Sequence, residues 1–206
     1  DPRGKKLLQF YLKLEQPFHE LQNLLGEHLE RLVERINLVN EIISAQQDYA
    51  CARGIVEELD ITDIIKVALK LLSAMFQKYS ITVETRFQPV SKILLQRTKL
   101  LHILINLFNN ARDAMLGAAD NQRFLTLSLS QDTDTVQLRI TDTGQGIPAY
   151  MLKSIFGQGF TTKAEGHGFG LHSCANYMTE MGGKIWAESD GAGKGATFIL
   201  EFQVKH

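Results

Sequence analysis

The chain has 206 residues, a formal net charge of −1 and 44% hydrophobic residues. That is enough for one large domain or two modest ones, and the near-neutral charge leaves no basic footprint for nucleic acid and no polybasic patch for a membrane surface. No apolar run approaches the roughly 20 residues that a membrane helix needs, and no signal peptide opens the chain, so a cytoplasmic domain without direct membrane contact is expected. Cys51 and Cys174 lie far apart without metal-ligand spacing and are expected to be buried reduced thiols. The start at Asp1 rather than at a methionine suggests a fragment of a longer protein, one that is free to be membrane-tethered.

"KKLLQFYLKLEQ" reads as helical, and Pro17 either starts a new helix or kinks one. From Leu25 the residues Leu25, Leu29, Leu32, Ile36, Val39 and Ile43 recur at spacings of four and three, a heptad seam flanked by Glu30, Arg31, Glu34 and Arg35. The seam packs either inside one chain or in a bundle shared with a second copy. The pattern changes after "ARG" at 52–54, so the reading divides the chain into a helical dimerisation segment over 1–55 and a second domain over 56–206.

In the second domain "ITDIIKVALKLLSAMFQKY" is amphipathic, with Thr62 or Asp63 as N-cap, and "ITVETRF" alternates as a strand. A helix is expected over Thr98–Leu116, then strands "FLTLSLS" and "TVQLRITD" separated by the turn "QDTD". After a glycine-rich stretch comes a short helix over Leu171–Met181, ended by Gly182 and Gly183, and closing strands "KIWAES" and "ATFILEF" joined by "DGAGKG". The expected class is α+β: a two-layer α/β sandwich whose mixed, mostly antiparallel sheet is covered on one face by helices, preceded by the helical segment.

Residues 141–173 hold seven glycines in thirty-three positions. Two phosphate-loop grammars fail there. Lys194 is followed by Gly195 rather than by Ser or Thr, and after Gly144 and Gly146 comes Ile147-Pro148 and an irregular segment, not the helix that a dinucleotide fingerprint opens. What fits is a set of four pieces in order: "NLFNNARDA" from Asn106, "DTGQGIP" from Asp142, "FGQGFTTK" from Phe156 and "GHGFGL" from Gly166, with "GKGATF" following late. They resemble the N, first glycine, F and second glycine boxes of the histidine kinase, gyrase, heat-shock chaperone and mismatch-repair ATPase superfamily, and the last two are most similar to those of sensor histidine kinases.

The resemblance implies ATP and Mg²⁺ as cofactors. Asn106 and Asn110 share a helix face, and an amide oxygen suits Mg²⁺, so Asn110 is the expected metal ligand with Asn106 in support. Asp142 ends a strand, where its carboxylate can accept from the exocyclic amine of adenine while Gly144 admits the base; guanine's carbonyl there would face an acceptor, and a site of this kind discriminates by roughly 10⁴. Residues 149–169 read as a lid, with Phe156 and Phe160 as anchors and Gly157, Gly159, Gly166 and Gly168 as points of movement. Thr161, Thr162 and Lys163 are placed to reach phosphate, Lys163 otherwise facing solvent, and Gly168 and Gly170 bring backbone N–H groups and a helix N-terminus to the triphosphate. The resemblance adds Asp113, Gly146, Ile147, His167, Phe169, Leu171 and Thr197 to the nucleotide contacts. His172, beside His167, reads as a local contact rather than a catalyst.

The N box also separates chemistries. Superfamily members that hydrolyse ATP or phosphorylate serine carry a glutamate where Asn106 stands, because water and hydroxyls need a general base. A neutral imidazole already offers a lone pair, so Asn106, Asn110 and Lys163 fit a catalytic set for histidine phosphorylation by positioning and electrostatics. The resemblance thus implies an autokinase, dimeric through its N-terminal helices, that passes phosphate to the aspartate of a response-regulator receiver domain. The alternatives are a hydrolytic ATPase of the same fold and a non-catalytic nucleotide-binding module. His19 in "HELQN" superficially matches an acceptor motif, but the return-arm position of its helix places the acceptor upstream of Asp1. Arg112 stands near where many sensor kinases carry a lysine, and it either takes that role or faces solvent.

Overall fold

In a computed structural model of the chain, residues 55–118, 122–162 and 168–204 are described. The heptad seam, Pro17, His19 and Cys51 lie outside the described residues, as do Lys163, Gly166 and His167. Residues 54–206 form one compact unit.

The most regular alternation in the sequence forms the centre of the sheet. Leu125, Leu127 and Leu129 of β4 (Arg123–Asp132) and Val136, Leu138 and Ile140 of β5 (Thr135–Asp142) are buried, while the residues between them are partly exposed on the opposite face. β4 and β5 pair antiparallel in the register Leu127↔Ile140 and Leu129↔Leu138, leaving Thr133 and Asp134 as the turn, two residues shorter than "QDTD". β2 (Ile81–Phe87) lies parallel to β4 on one side. On the other side β7 (Ala196–Gln203) pairs antiparallel with β5, and β6 (Lys184–Glu188) with β7. The order is β2-β4-β5-β7-β6, with a single parallel pair.

Four helices join the sheet's apolar face in one core. α1 (Ile61–Leu71) is capped by Asp60, not by Thr62 or Asp63: Asp60 Oδ1 accepts from Thr62 N at 2.8 Å and from Thr62 Oγ1 at 2.5 Å. The single helix expected from residue 61 onward is interrupted at Leu72, where ψ is 8°, and resumes as α2 (Ser73–Lys78). The Ser73 hydroxyl donates to the Lys70 carbonyl at 2.8 Å, a local alternative to the helical ladder. α3 (Arg97–Leu116) buries Leu100, Ile103, Leu104, Leu107, Phe108, Ala111 and Met115 at helical spacing. α4 (Gly170–Glu180) buries Cys174, Tyr177 and Met178. Two strands escaped the pattern reading: β1 (Glu57–Leu59) and β3 (Ile93–Leu95) form a separate antiparallel pair, each only 3 residues long and too short to show alternation. No described helix is long and apolar enough to cross a membrane.

Phe108 ties α3 to α2, since it is 0% exposed and meets Phe76 of α2 edge-on with ring centroids 6.1 Å apart. Phe108→Ala is expected to lower unfolding stability by about 3–5 kcal/mol, read by urea denaturation. A loss below about 1 kcal/mol would show that α3 is not packed as described.

Candidate functional site

The period of two that buries Leu138 and Ile140 also turns Asp142 inward, and at 3% exposure it is the one buried charged or polar residue among those described. Its Oδ1 accepts from the Gly144 N–H at 2.8 Å, and the Ala196 N–H bonds the same carboxyl. Burial outweighs those two donors and pushes the carboxyl up to about 6.

The turn after Asp142 is held from three sides. Thr143 anchors it to the start of β4, accepting from Phe124 N at 3.0 Å through Oγ1 and donating to Gln122 O at 2.9 Å. Gly144 lies directly against α3, where an added Cβ would stand 2.6 Å from the Ala114 carbonyl carbon, so the contact requires glycine. Gln145 N–H then donates to Ala114 O at 3.0 Å. From the third side, the β6–β7 connection donates Gly193 N–H to Gln145 O at 2.6 Å and Gly195 N–H to Gly144 O at 3.1 Å. The Ser189 hydroxyl accepts from Ile147 N at 3.0 Å and donates to Gly195 O at 2.6 Å. Gly144, Gly146 and Ile147 therefore lie in a braced loop beside Asp142.

Asn106 lies two turns earlier on α3. Its carboxamide hydrogen-bonds the Cys174 thiol of α4, which burial pushes up to about 12 and so keeps protonated. Gly170, the first residue of α4, comes so close that an added Cβ would lie 3.9 Å from Asn106 Oδ1. Asn110 follows one turn after Asn106 on the same half-buried stripe. Asp113 receives Arg112 Nε at 2.7 Å, while the guanidinium also donates to Asn109 Oδ1 at 3.0 Å and lies over the Tyr79 ring at 6.0 Å. Arg112 is thus held half-buried between Asp113 and Tyr79 rather than facing solvent.

The segment expected to form the lid, 149–169, has its expected anchors in place. Ile155 is buried, Phe160 packs on the core, and Phe156 meets Phe198 edge-on at 6.4 Å, so the segment up to Phe160 is anchored. Gly168, at φ 70°, is pressed so close to the Gly159–Phe160 peptide that an added Cβ would be 2.4 Å from Gly159 C. Thr161 and Thr162 are exposed just beyond this pinch, and Phe169 is exposed on its other side, before Gly170 and the half-buried Leu171.

Thr197 does not join the site. Asp142 pairs with Ala196, so Thr197 falls on the opposite face of the sheet, where its hydroxyl lies 2.9 Å from that of Thr141. The residue beside Asp142 is Ala196. Asn106 and Ala114 are eight residues apart, about 12 Å along α3. The carboxylate and its braced turn therefore sit at one end of this span, the Asn106 carboxamide and the start of α4 at the other, and Asn110 midway between them. A cavity of about 140 Å³ lined by Val56, Leu94, Gln96 and Met181 lies apart from this constellation, at the N-terminal end of α3.

The sequence profile of the histidine kinase-, DNA gyrase B- and HSP90-like ATPases matches residues 96–206. The chain belongs to this ATPase family. Among its relatives, the sensor histidine kinase ZraS of Salmonella typhi is 30% identical over 184 residues, which cover 88% of this chain and 37% of ZraS. The chain thus spans well under half of the curated relatives that it matches. The solved catalytic domain of histidine kinase ThkA is 26% identical, with a TM-score of 0.64, covering 72% of this chain and 95% of that one. ThkA in complex with the response regulator TrrA superposes with a TM-score of 0.66 at 22% identity, covering 83% of this chain and 48% of that one, and so shows the fold alone. The helix-covered, mostly antiparallel sheet is the fold of the histidine kinase catalytic domains in this ATPase family.

Because the Asp142 carboxyl is raised from 3.8 to about 6, its protonation favours the folded state. That contribution is fully present below the unfolded value and is lost as pH rises through about 6. Asp142→Asn, which carries no such charge, is expected to be more stable than the native sequence at pH 7.5 by on the order of 2 kcal/mol, and the difference should shrink toward pH 4.5. Denaturant unfolding of both proteins across that range, without nucleotide, makes the comparison. A pH-independent difference would rule out titration of a buried carboxylate.

Proposed function

We propose that residues 56–206 are the Mg·ATP-binding catalytic unit of a sensor histidine kinase, and that residues 1–55 are its helical dimerisation segment. The observation that carries the reading is the 12 Å span of α3, with a buried acceptor at one end and the glycine-started helix α4 at the other. A base, a ribose and a phosphate chain fit such a span laid end to end.

At the base end Asp142 accepts from the exocyclic amine of adenine, a bond that guanine does not offer, while Gly144 seats the turn against Ala114 of α3 rather than leaving room for the ring as expected. At the phosphate end the first-turn N–H groups of α4, at Gly170 and Leu171, face the anion with the positive end of the helix dipole. Thr161, Thr162 and Lys163 close from the lid, with Gly166, His167 and Gly168 on its returning side. Asn110 would hold Mg²⁺ with Asn106 beside it; the ion, when bound, neutralises charge on the phosphates.

Neither Asn106 nor the protonated Cys174 thiol can take a proton. The pair therefore favours transfer to a nucleophile that needs no deprotonation. A neutral histidine nitrogen attacks the γ-phosphorus, a P–N bond forms, the bond to the β-phosphate oxygen breaks and ADP leaves. The phosphoryl group then passes to an aspartate of a response-regulator receiver. The unit works in the cytoplasm, where ATP is available, with the acceptor histidine upstream of Asp1.

Incubation with γ-labelled ATP and a longer protein carrying that upstream helix tests the reading: acid-labile, base-stable label on histidine is expected. Free phosphate without protein label would instead indicate a hydrolase, and neither product a regulatory module. By calorimetry, Asp142→Asn is expected to weaken ATP binding more than tenfold, and unchanged affinity would refute the adenine contact. Asn110→Ala should abolish the part of the affinity that EDTA removes from the native protein, and a retained Mg²⁺ effect would displace Asn110 as ligand.

A further inference from the structure

His172 sits in the first turn of α4 and is half-buried. Its Nδ1 lies 3.1 Å from the carbonyl oxygen of Phe156, at the anchored base of the lid, and its Nε2 lies 3.3 Å from Nδ2 of Asn176, one turn further along α4. A carbonyl oxygen only accepts, so Nδ1 carries the hydrogen and donates it. In the neutral ring Nε2 then accepts from the Asn176 amide. Both nitrogens are engaged, and the ring bridges two segments 16 residues apart in sequence.

We propose that His172 is a positioning residue that sets the gap between the lid stem and the N-terminus of α4, and through that gap the affinity for the nucleotide's phosphates. The inference rests on the nucleotide reading above. Phe156 is the right place for such a tie, because its own ring is fixed against Phe198 and its carbonyl is a stationary point. A second tie reinforces the first, where Gly168 presses against the Gly159–Phe160 peptide. Together they hold residues 156–160 and 168–172 at a fixed separation, with Thr161 and Thr162 on one side of the joint and the N–H groups of Gly170 and Leu171 on the other. Donors held in place before the ligand arrives bind more tightly than donors that the ligand must order. Without the His172 bridge, only the Gly168 contact ties the stem to the helix, and the phosphates meet a gap that varies more.

Calorimetric titration of the 206-residue chain with Mg·ATP tests this. His172→Ala is expected to bind about five- to tenfold more weakly, the worth of one well-placed hydrogen bond. His172→Asn is expected to restore affinity to within about twofold, because Nδ2 of asparagine is bonded to Cγ as Nδ1 of histidine is and can donate to the same carbonyl. His172→Leu fills the space without a donor and is expected to stay as weak as the alanine variant. In the full-length kinase, KM for ATP is expected to rise by more than kcat falls. Native-like affinity in a folded His172→Ala variant would overturn the inference, and so would a leucine variant as good as the asparagine one, since packing alone would then suffice. Should His172→Ala fail to fold, the asparagine and leucine variants decide. No binding by the native chain would overturn the nucleotide reading along with it, whereas native binding with indifferent variants overturns the bridge alone.

Discussion

Everything at the candidate site depends on the seating of the Asp142–Gly146 turn against the last turns of α3. The contact is backbone on backbone: Gly144 meets the Ala114 carbonyl carbon at a distance that no side chain tolerates, and Gln145 N–H reaches the Ala114 carbonyl oxygen, at 3.0 Å. Because α3 is rigid and packed along its apolar stripe, anything fixed to Ala114 is thereby fixed relative to Asn106 and Asn110. The distance between the Asp142 turn and Asn106 is then set largely by helical rise. Thr143 and the β6–β7 connection brace the same turn, so its backbone hydrogen-bonding groups are shared among three elements rather than left to solvent.

That seating has a thermodynamic consequence. Asp142 could have been a solvated strand-end carboxylate, but the turn folded over it leaves it two N–H donors and little water, and its carboxyl rises to about 6. Near neutral pH the folded protein therefore carries a charge in a place that disfavours it. Any hydrogen-bond donor brought to that carboxylate would relieve the same penalty.

The sequence carried the central part of this arrangement plainly, because β4, β5 and α3 each repeat one short period over eight or more residues. It carried less where a feature is short or depends on parity. β1 and β3 offer three residues each, and the interruption at Leu72 turns on one serine hydroxyl. Thr197 was assigned to the nucleotide from its position in "GKGATF", yet a strand offset of one residue moves a side chain to the other face, and Ala196 is the partner of Asp142. Phe156 and Phe160 are legible in sequence as the anchors of the glycine-rich segment, whereas what they pack against, such as Phe198, is a long-range fact. Contacts between distant elements, such as Asn106 with Cys174 and His172 with Phe156, leave no local period at all.

The Asn106–Cys174 pair bears on chemistry beyond the missing base. Gly170 brings the start of α4 against the Asn106 amide, so whatever stands at residue 106 lies in the positive field of that helix terminus. A carboxylate there would occupy the field itself, competing with phosphate for the same N–H groups and repelling it by like charge. A carboxamide does neither, and the buried thiol beside it stays protonated, adding no charge. The α4 terminus is therefore left fully electropositive for an anionic ligand, at the cost of a group able to deprotonate water. Under the proposed nucleotide reading, a site without a proton acceptor suits a nucleophile that brings its own lone pair, and it suits hydrolysis poorly.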